Sequence, residues 1–391
     1  MSKIFYVSKN NENNENINIT ILNTMNLEDI CINIEEYKNL LISKCKIDKN
    51  LKLWDYNKKK KNKYELIYVS NRNKQFNIAN YKPISRSYFK LWEILHDIDY
   101  LKYLNNNRKI NTAHLCEGPG GFIEATINYC RKKIITIDNI HAITLKDLEK
   151  ETLNNNDIPN WNIEDKMIKD NNIKIHYGKD LTGNLYNIQN ILDFIIKTGK
   201  NNIDLITADG GLDYSIDYNK QEQLTYRLLL CEIVTALSVL KKGGVFIFKI
   251  FDIGTLFTIE MIYLVWLFFD DIEIIKPDTS RMANSEKYVI CKGYTLIDNT
   301  NLNKLYGIIS EYDKIYPFHL FESINGTFID CIKKFNTMYI NYQINNIENT
   351  LIKSTHQEYK EQINNALNWC HKYKIEINKN NKYNNILNNI R

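Results

Sequence analysis

The stretch HLCEGPGGF, His114 to Phe122, decides how the rest of the chain is read. An apolar-leaning run, Lys109 to Leu115, leads into it, and a helix-like run, Ile123 to Arg131, leads out. A chain that leaves a strand, turns on glycines and enters a helix in so few residues is suited to bringing bare backbone against a ligand. Two common ligands are excluded by spacing. The phosphate-cradling pattern GxxxxGK[ST] is absent, and Gly118, Gly120 and Gly121 do not make the GxGxxG of dinucleotide sites. Pro119 inside the turn is also unusual for a dinucleotide fold. A positively charged sulfonium needs no phosphate cradle, and Glu117 would suit a cationic amino-acid group. A strand–turn–helix with no ligand stays open on this stretch alone.

Outward from the turn, residues 109–294 alternate. Strand-like runs fall at Ile110–Leu115, Ala142–Leu145, Ile173–Tyr177, Ile203–Ala208, Gly244–Phe251, Ile272–Lys276 and Tyr288–Lys292. Helical runs separate several of them, clearest at Gln221–Leu240 and Thr255–Phe269. Strands spaced by helix-length segments make a parallel sheet covered on both faces. Only about ten residues separate Lys276 from Tyr288, too few for a helical crossover, so that pair must run antiparallel. The expected fold is α/β: a mostly parallel seven-stranded sheet with one antiparallel strand, the pattern of Rossmann-like methyltransferases.

The flanks differ from this core. Residues 1–80 are polar and Asn-rich, with a lysine run KKKKNK at 58–63 that reads as a solvated loop or a contact to RNA phosphates. Residues 81–296 hold the alternating domain, opened by a helix around ISRSYFKLWEIL (84–95), and 297–391 read as a polar, Tyr-rich helical extension that packs on the sheet or completes an RNA groove. The net charge of +5, from 51 Lys+Arg against 46 Asp+Glu, permits an anionic partner without requiring one. Eight scattered cysteines, with no CxxC and no paired Cys/His spacing, argue against a zinc site. The N-terminus lacks a signal-peptide apolar core, so an intracellular, reduced protein is expected, cytoplasmic or nuclear. The apolar run Thr255–Phe269 is shorter than the roughly 20 residues of a membrane span and carries Glu260, so it reads as a buried helix.

Four residues from four elements then draw attention. ITADGG puts Asp209 at the carboxyl tip of a strand, and GVFIFKIFD puts Lys249 inside an apolar one. Lysine in a buried strand is rare unless paired or employed. ANSEKYV puts Glu286 at the start of the antiparallel strand, and Lys90 sits on the helix entering the sheet. All four can converge at one sheet edge.

With these residues in place, the ordered motifs SRSYFK (85–90), CEGPGGF (116–122), TADGG (207–211), FKIFD (248–252) and KPDTSRMANSEKYVICKGY (276–294) resemble the RrmJ/FtsJ-type 2′-O-ribose methyltransferases over roughly residues 84–295. Within that superfamily, LLLCEIVTAL (228–237) and the last motif are nearer the enzymes that methylate the first transcribed nucleotide of capped mRNA. The resemblance implies a catalytic tetrad Lys90, Asp209, Lys249 and Glu286 and S-adenosyl-L-methionine as methyl donor. It implies donor contacts at Ser85, at Cys116, Glu117, Gly118, Pro119, Gly120, Gly121 and Phe122, and at Asp180 in GKDLTGN. It implies RNA contacts at Asn219, Gln221 and Asn284, with Arg281 on a phosphate, capped mRNA as partner, other capping enzymes as further partners, and no metal.

The sequence departs from the ribosomal members where His114 replaces an acid, and no clear ribose-binding acid follows AITLKD, where Asp147 is a weak candidate. Two alternatives remain at this stage: a 2′-O-methyltransferase of ribosomal or transfer RNA, and a catalytically idle RNA-binding subunit.

Overall fold

The computed structural model describes residues 4–7, 22–23, 29–69, 73–104, 108–146, 161, 165–211, 218–352 and 356–383. Asp147 lies outside them. In chain order the strands are β1 (Ile4–Tyr6), β2 (Leu22–Asn23), β3 (Lys109–Leu115), β4 (Thr136–Ile143), β5 (Ile173–His176), β6 (Ile203–Ala208), β7 (Leu240–Ile250), β8 (Phe269–Ile275), β9 (Lys287–Tyr294) and β10 (Phe318–His319). The helices are α1 (Ile34–Lys49), α2 (Leu51–Asn57), α3 (Ser87–Asp97), α4 (Gly121–Lys133), α5 (Asp165–Asp170), α6 (Ile188–Thr198) and α7 (Gln221–Leu224). They continue as α8 (Tyr226–Val239), α9 (Leu256–Phe268), α10 (Asn299–Ser310), α11 (Tyr312–Ile315), α12 (Gly326–Thr350) and α13 (His356–Lys372).

One eight-stranded sheet runs in the order β1-β8-β9-β7-β6-β3-β4-β5, and β10 pairs with β2 apart from it. The pairs β4–β5, β3–β4, β3–β6 and β6–β7 are parallel, whereas β9 is antiparallel to both β7 and β8. The expected seven strands are all present. The sheet gains an eighth, β1, antiparallel on the β8 edge with Phe5 opposite Ile274. Three apolar residues ahead of an Asn-rich stretch give too short a pattern to stand out. Pairing them covers an otherwise open sheet edge.

The strands are apolar on both faces because both are covered. All six residues of β6 are buried. Along β7, Phe246, Phe248 and Ile250 enter a core shared with α6, α8, α9, α10 and α12, and Val245 and Ile247 enter one shared with α3, α4 and α13. By that alternation Lys249 faces the α3 side, where Lys90 resides. Helix α9 is buried on nearly every side, and its one acid, Glu260, accepts from the backbone N–H of Leu320 at 2.9 Å, as expected of a buried helix rather than a span. Among the described residues no helix is long and apolar enough to cross a membrane.

Both flanks are fastened to this core. Helix α1 packs on α12 through Tyr37, Leu40, Ile340 and Ile347. The backbone N–H of Ile253, just beyond β7, donates to the Tyr37 hydroxyl at 2.9 Å. Asn57 donates to the carbonyl of Thr350 at 2.9 Å. The C-terminal helices pack on the sheet as expected, and α12 does more, because it also borders the cleft.

Candidate active site

Register alone brings the candidate residues together. Leu115 at the end of β3 pairs with Ala208 at the end of β6, so Cys116 and Asp209 leave the sheet side by side. Ala208 pairs with Phe248, which sets Lys249 level with Asp209. Lys249 in turn lies opposite Tyr288, and Ile250 opposite Lys287, so Glu286 enters at the same edge. The chain reverses its build direction between β3 and β6, and the crevice beyond such strand ends is the usual ligand site of an open α/β sheet.

The four groups form two linked ion pairs. Lys90 Nζ lies 2.8 Å from Glu286 Oε2. Lys249 Nζ donates to the main-chain oxygen of Asp209 at 2.9 Å and lies 3.3 Å from its Oδ1. The Tyr288 hydroxyl donates to the same Oδ1 at 2.8 Å. Glu286 Oε1 is buried with no hydrogen-bond partner. Burial pushes the Glu286 carboxyl upward, but Lys90, Lys249 and Lys276 outweigh it and hold it at about 2. Glu286 is therefore a fixed anion beside Lys90, Lys249 and Lys276, and cannot serve as a base near neutral pH.

Three further residues, not singled out from the sequence, support this edge. Lys276 donates to the carbonyls of Asn284 and Glu286 at 2.8 and 2.7 Å, fixing the loop that carries Glu286. Burial brings its amine down to about 7 against the pull of Glu286. Tyr288 fixes the Asp209 carboxylate. Glu232, on α8, is buried behind both turns, with the Cys116 thiol and the Gly210 backbone N–H against its carboxyl. Burial raises it to about 8, although Lys249 opposes the shift. Its Oε1 makes no well-aligned hydrogen bond. LLLCEIVTAL carries this acid in a run otherwise free of charge, and that was the available signal.

A cleft of about 1480 Å³ opens at this edge. Cys116, Gly118, Thr144, Leu145, Gly183 and Tyr186 line its inner part, and Asp209, Lys249 and Glu286 its middle. Two glycines set the backbone here: Gly120, buried at the start of α4, has φ 114°, which side chains rarely adopt, and in the loop between β5 and α6 a Cβ on Gly183 would meet the Thr144 carbonyl at 1.8 Å. Asn219, Gln221, Arg281 and Asn284 also line the cleft. Gln221 accepts from the Ser285 hydroxyl at 2.9 Å. Arg281 is held by the buried carboxylate of Glu65 at 3.0 Å, which Arg86 also approaches at 3.3 Å. That pairing withdraws part of its charge from a phosphate.

Other candidates lie away from the cleft lining. Glu117 is buried and turns inward, its Oε1 accepting from the backbone N–H of Phe122 at 2.6 Å and of Ile123 at 3.3 Å. It caps α4, and burial, then the Asp209 charge, push its carboxyl well above the usual range. Phe122 is core, packed on the Tyr288 ring. The Ser85 hydroxyl pairs with that of Ser87 behind Gly121. Pro119 follows Gly118 through a cis peptide bond. Asp180 is exposed and engaged by its own turn, accepting from Thr182, Asn187 and Asn190. Slight burial opposes those bonds, and they hold it at about 2. His114 is buried between Thr112 and Thr207, and burial lowers it to about 3, as for a satisfied core histidine.

A parallel sheet closed by an antiparallel strand, with a glycine turn and a lysine–carboxylate cluster at its switch point, defines the class as a Rossmann-like methyltransferase fold. The chain belongs to the FtsJ-like methyltransferase family, which it matches over residues 83–294. It is 32% identical over 235 residues to cap-specific mRNA (nucleoside-2′-O-)-methyltransferase 2 of Drosophila melanogaster, covering 57% of this chain and 31% of that one. It is 37% identical over 189 residues to cap-specific mRNA (nucleoside-2′-O-)-methyltransferase 1 of Dictyostelium discoideum, covering 46% and 25%. The mouse methyltransferase 2 is 28% identical over 352 residues, covering 87% and 43%. The chain thus spans less than half the length of these relatives. Human methyltransferase-like protein 13, solved with SAH, is similar at 13% identity and a TM-score of 0.31, covering 55% of this chain and 90% of that one.

Proposed function

We propose that this chain methylates the ribose 2′-oxygen of the first transcribed nucleotide of capped mRNA, taking the methyl from S-adenosylmethionine. The observation that carries the reading is the convergence of Lys90, Asp209, Lys249 and Glu286 at the switch-point edge, in a chain of this family.

The inner cleft suits the donor. Among the described residues its wall is Cys116, Gly118, Thr144, Leu145, Gly183, Asn184 and Tyr186, with no phosphate cradle. Bound there, S-adenosylmethionine supplies a methyl group activated by its positive sulfur. The residues then have separate tasks. Lys90, held by Glu286, positions the ribose. Lys249 takes the proton from the 2′-hydroxyl as the oxygen attacks. It must give up its own proton before it does so, a step that the Lys90 cation favours and the Asp209 carboxylate at 3.3 Å opposes. Asp209, fixed by Tyr288, orients Lys249 through its main-chain oxygen and its carboxylate. Alignment of attacking oxygen, methyl and sulfur contributes much of the rate.

The division of labour follows the chain: residues 81–296 carry the chemistry, and 1–80 and 297–391 shape the path of the RNA. Asn219, Gln221, Arg281 and Asn284 contact that RNA, and other capping enzymes are candidate partners. Incubation with labelled methyl donor and capped or uncapped short RNA, followed by nucleoside mapping, tests the reading. Label should enter the first transcribed nucleotide of capped RNA. Equal labelling of uncapped or structured ribosomal RNA would overturn it.

A further inference from the structure

Helix α3 carries Lys90, and three residues further on it carries Glu93, whose side chain is fully buried. A glutamate is almost never buried so completely unless its oxygens are satisfied. Here both are. Oε1 accepts from the backbone N–H of Asp278 at 2.7 Å. Oε2 accepts from the backbone N–H and the hydroxyl of Thr279 at 3.1 and 2.9 Å, and from the Trp369 indole N–H at 3.1 Å. All these partners are donors, so the group acts as an acceptor at both oxygens, the role of an ionised carboxylate.

These bonds tie three parts of the molecule to one side chain. Asp278 and Thr279 open the loop that runs from the end of β8 to Glu286. Residues three apart on a helix are surface neighbours, so Glu93 grips the near end of that loop while Lys90 grips Glu286 at its far end, 2.8 Å away. Lys276 joins the two ends by donating to the carbonyls of Asn284 and Glu286. The contacts from α3 through Glu93, the loop, Glu286 and Lys90 thus form a closed circuit. Trp369 belongs to α13, beyond the family match at 83–294. The end of the same helix braces α3 again: Trp92 donates to the carbonyl of Tyr373 at 3.1 Å, and Asp97 accepts from the Tyr373 hydroxyl at 2.9 Å and from Lys372 at 3.0 Å.

We propose that Glu93 is a positioning residue for methyl transfer: it locks α3 to the 276–286 loop, with Trp369 of the C-terminal extension as the third anchor, and so sets the geometry of the Lys90–Glu286 pair. The inference rests on the reading that this pair serves methyl transfer. Lysine has a long, flexible side chain, and a single ion pair to a loop leaves helix and loop free to shift together. A second grip one turn along the helix removes that freedom. Displacement of a catalytic group by about 1 Å costs up to about a hundredfold in rate. The C-terminal extension thereby acts on the chemistry without touching the substrate.

Turnover of variants of the full chain, at saturating donor and RNA, tests this. Glu93→Gln keeps the size of the side chain but turns a donor amide toward N–H groups. Its kcat should fall about tenfold or more, with S-adenosylmethionine affinity by calorimetry within about twofold of the parent. Trp369→Phe keeps a ring against Phe89 and removes only the N–H, and its kcat should fall about two- to fivefold. Added to Glu286→Gln, either change should cost less than about twofold more, because the pair through which Glu93 acts is already broken. Parental kcat in either single variant, whatever its thermal stability, would overturn the proposal. So would a double variant whose loss is the product of the two single losses, since Glu93 would then act elsewhere than on Lys90–Glu286. If Glu93→Gln does not fold, Trp369→Phe alone and with Glu286→Gln decides. If the parent methylates uncapped RNA equally well, the capped-RNA reading falls, and the same comparison on that RNA still decides the role of Glu93.

Discussion

The inner and outer parts of the cleft are held together by different physics. At the inner edge every charge has a fixed partner and little water: Lys90 and Glu286 are 16% and 13% exposed, and Lys249 and Asp209 11% and 15%. On the outer wall, lined by α2, the pair Lys58–Asp55 spans 2.6 Å, but its members are 37% and 64% exposed. A buried cluster is costly to disturb because removing one member leaves another charge uncompensated. An exposed pair is screened and contributes little. The inner edge is thus organised before a substrate arrives, as electrostatic catalysis requires. On the outer wall the exposed Lys58–Asp55 pair can be exchanged for contacts with a ligand, whereas Lys44–Asp252 beneath it, 17% and 13% exposed, is as enclosed as the inner edge.

Replacing Glu286 with Gln should give the largest change. Lys90 would lose its anion, and methyl transfer should fall by at least about a hundredfold, while calorimetry finds donor affinity within about twofold. Activity close to the parent would remove the contrast between the two regions. Gly120→Asp comes next. Its φ of 114° and its place in the turn predict a donor affinity weakened by at least tenfold, read by calorimetry. Unchanged affinity would contradict the assignment of this turn.

Glu232→Gln probes the floor beneath both turns. The Glu232 carboxyl titrates near 8 when folded and near 4.5 when unfolded, so the folded state holds the extra proton between those values. Its contribution to stability is complete below about pH 4.5 and is lost as pH rises through about 8. The variant should lose that part of the pH dependence: between pH 6 and 8.5 its urea-unfolding free energy should fall less than the parent's, by roughly 1–3 kcal/mol. Parallel curves would show that Glu232 is not a protonated buried acid. Smallest of all, Lys58→Ala should shift stability by less than about 0.5 kcal/mol, since only an exposed pair is broken. A loss of 2 kcal/mol or more would show the outer wall to be as rigid as the inner edge.

The inner edge was legible in the sequence because its signals are local. Apolar runs set the strands, and Asp209, Lys249 and Glu286 fall at run ends or inside one. The ten-residue gap before Tyr288 forces the antiparallel return that brings Glu286 back to the edge. The rest depends on contacts that no local pattern encodes. Asp180 and Arg281 carry the right charge, but the hydrogen bonds of their own neighbourhoods, to Asn190 and to Glu65, engage them. Glu117 satisfies the first turn of α4 instead of facing a ligand. Strand β1 has three residues, and the cleft-facing stripe of α1–α2 mixes acids, lysines and apolar groups, so neither shows a clean period. Lys276 and Tyr288 act on the loop and carboxylate beside them, a role that only the folded geometry defines.

The central claim is that Lys249 is the base, and the turnover of Lys249→Arg on capped RNA tests it most directly. Arginine keeps the positive charge in a comparable place but does not give up its proton in a protein. The account predicts that this variant binds S-adenosylmethionine like the parent and transfers no measurable methyl, as should Lys249→Ala and Lys249→Met. If Lys249→Arg kept a substantial fraction of the parental turnover, Lys249 would be only a fixed cation, and catalysis here would rest on alignment and electrostatics without a lysine base.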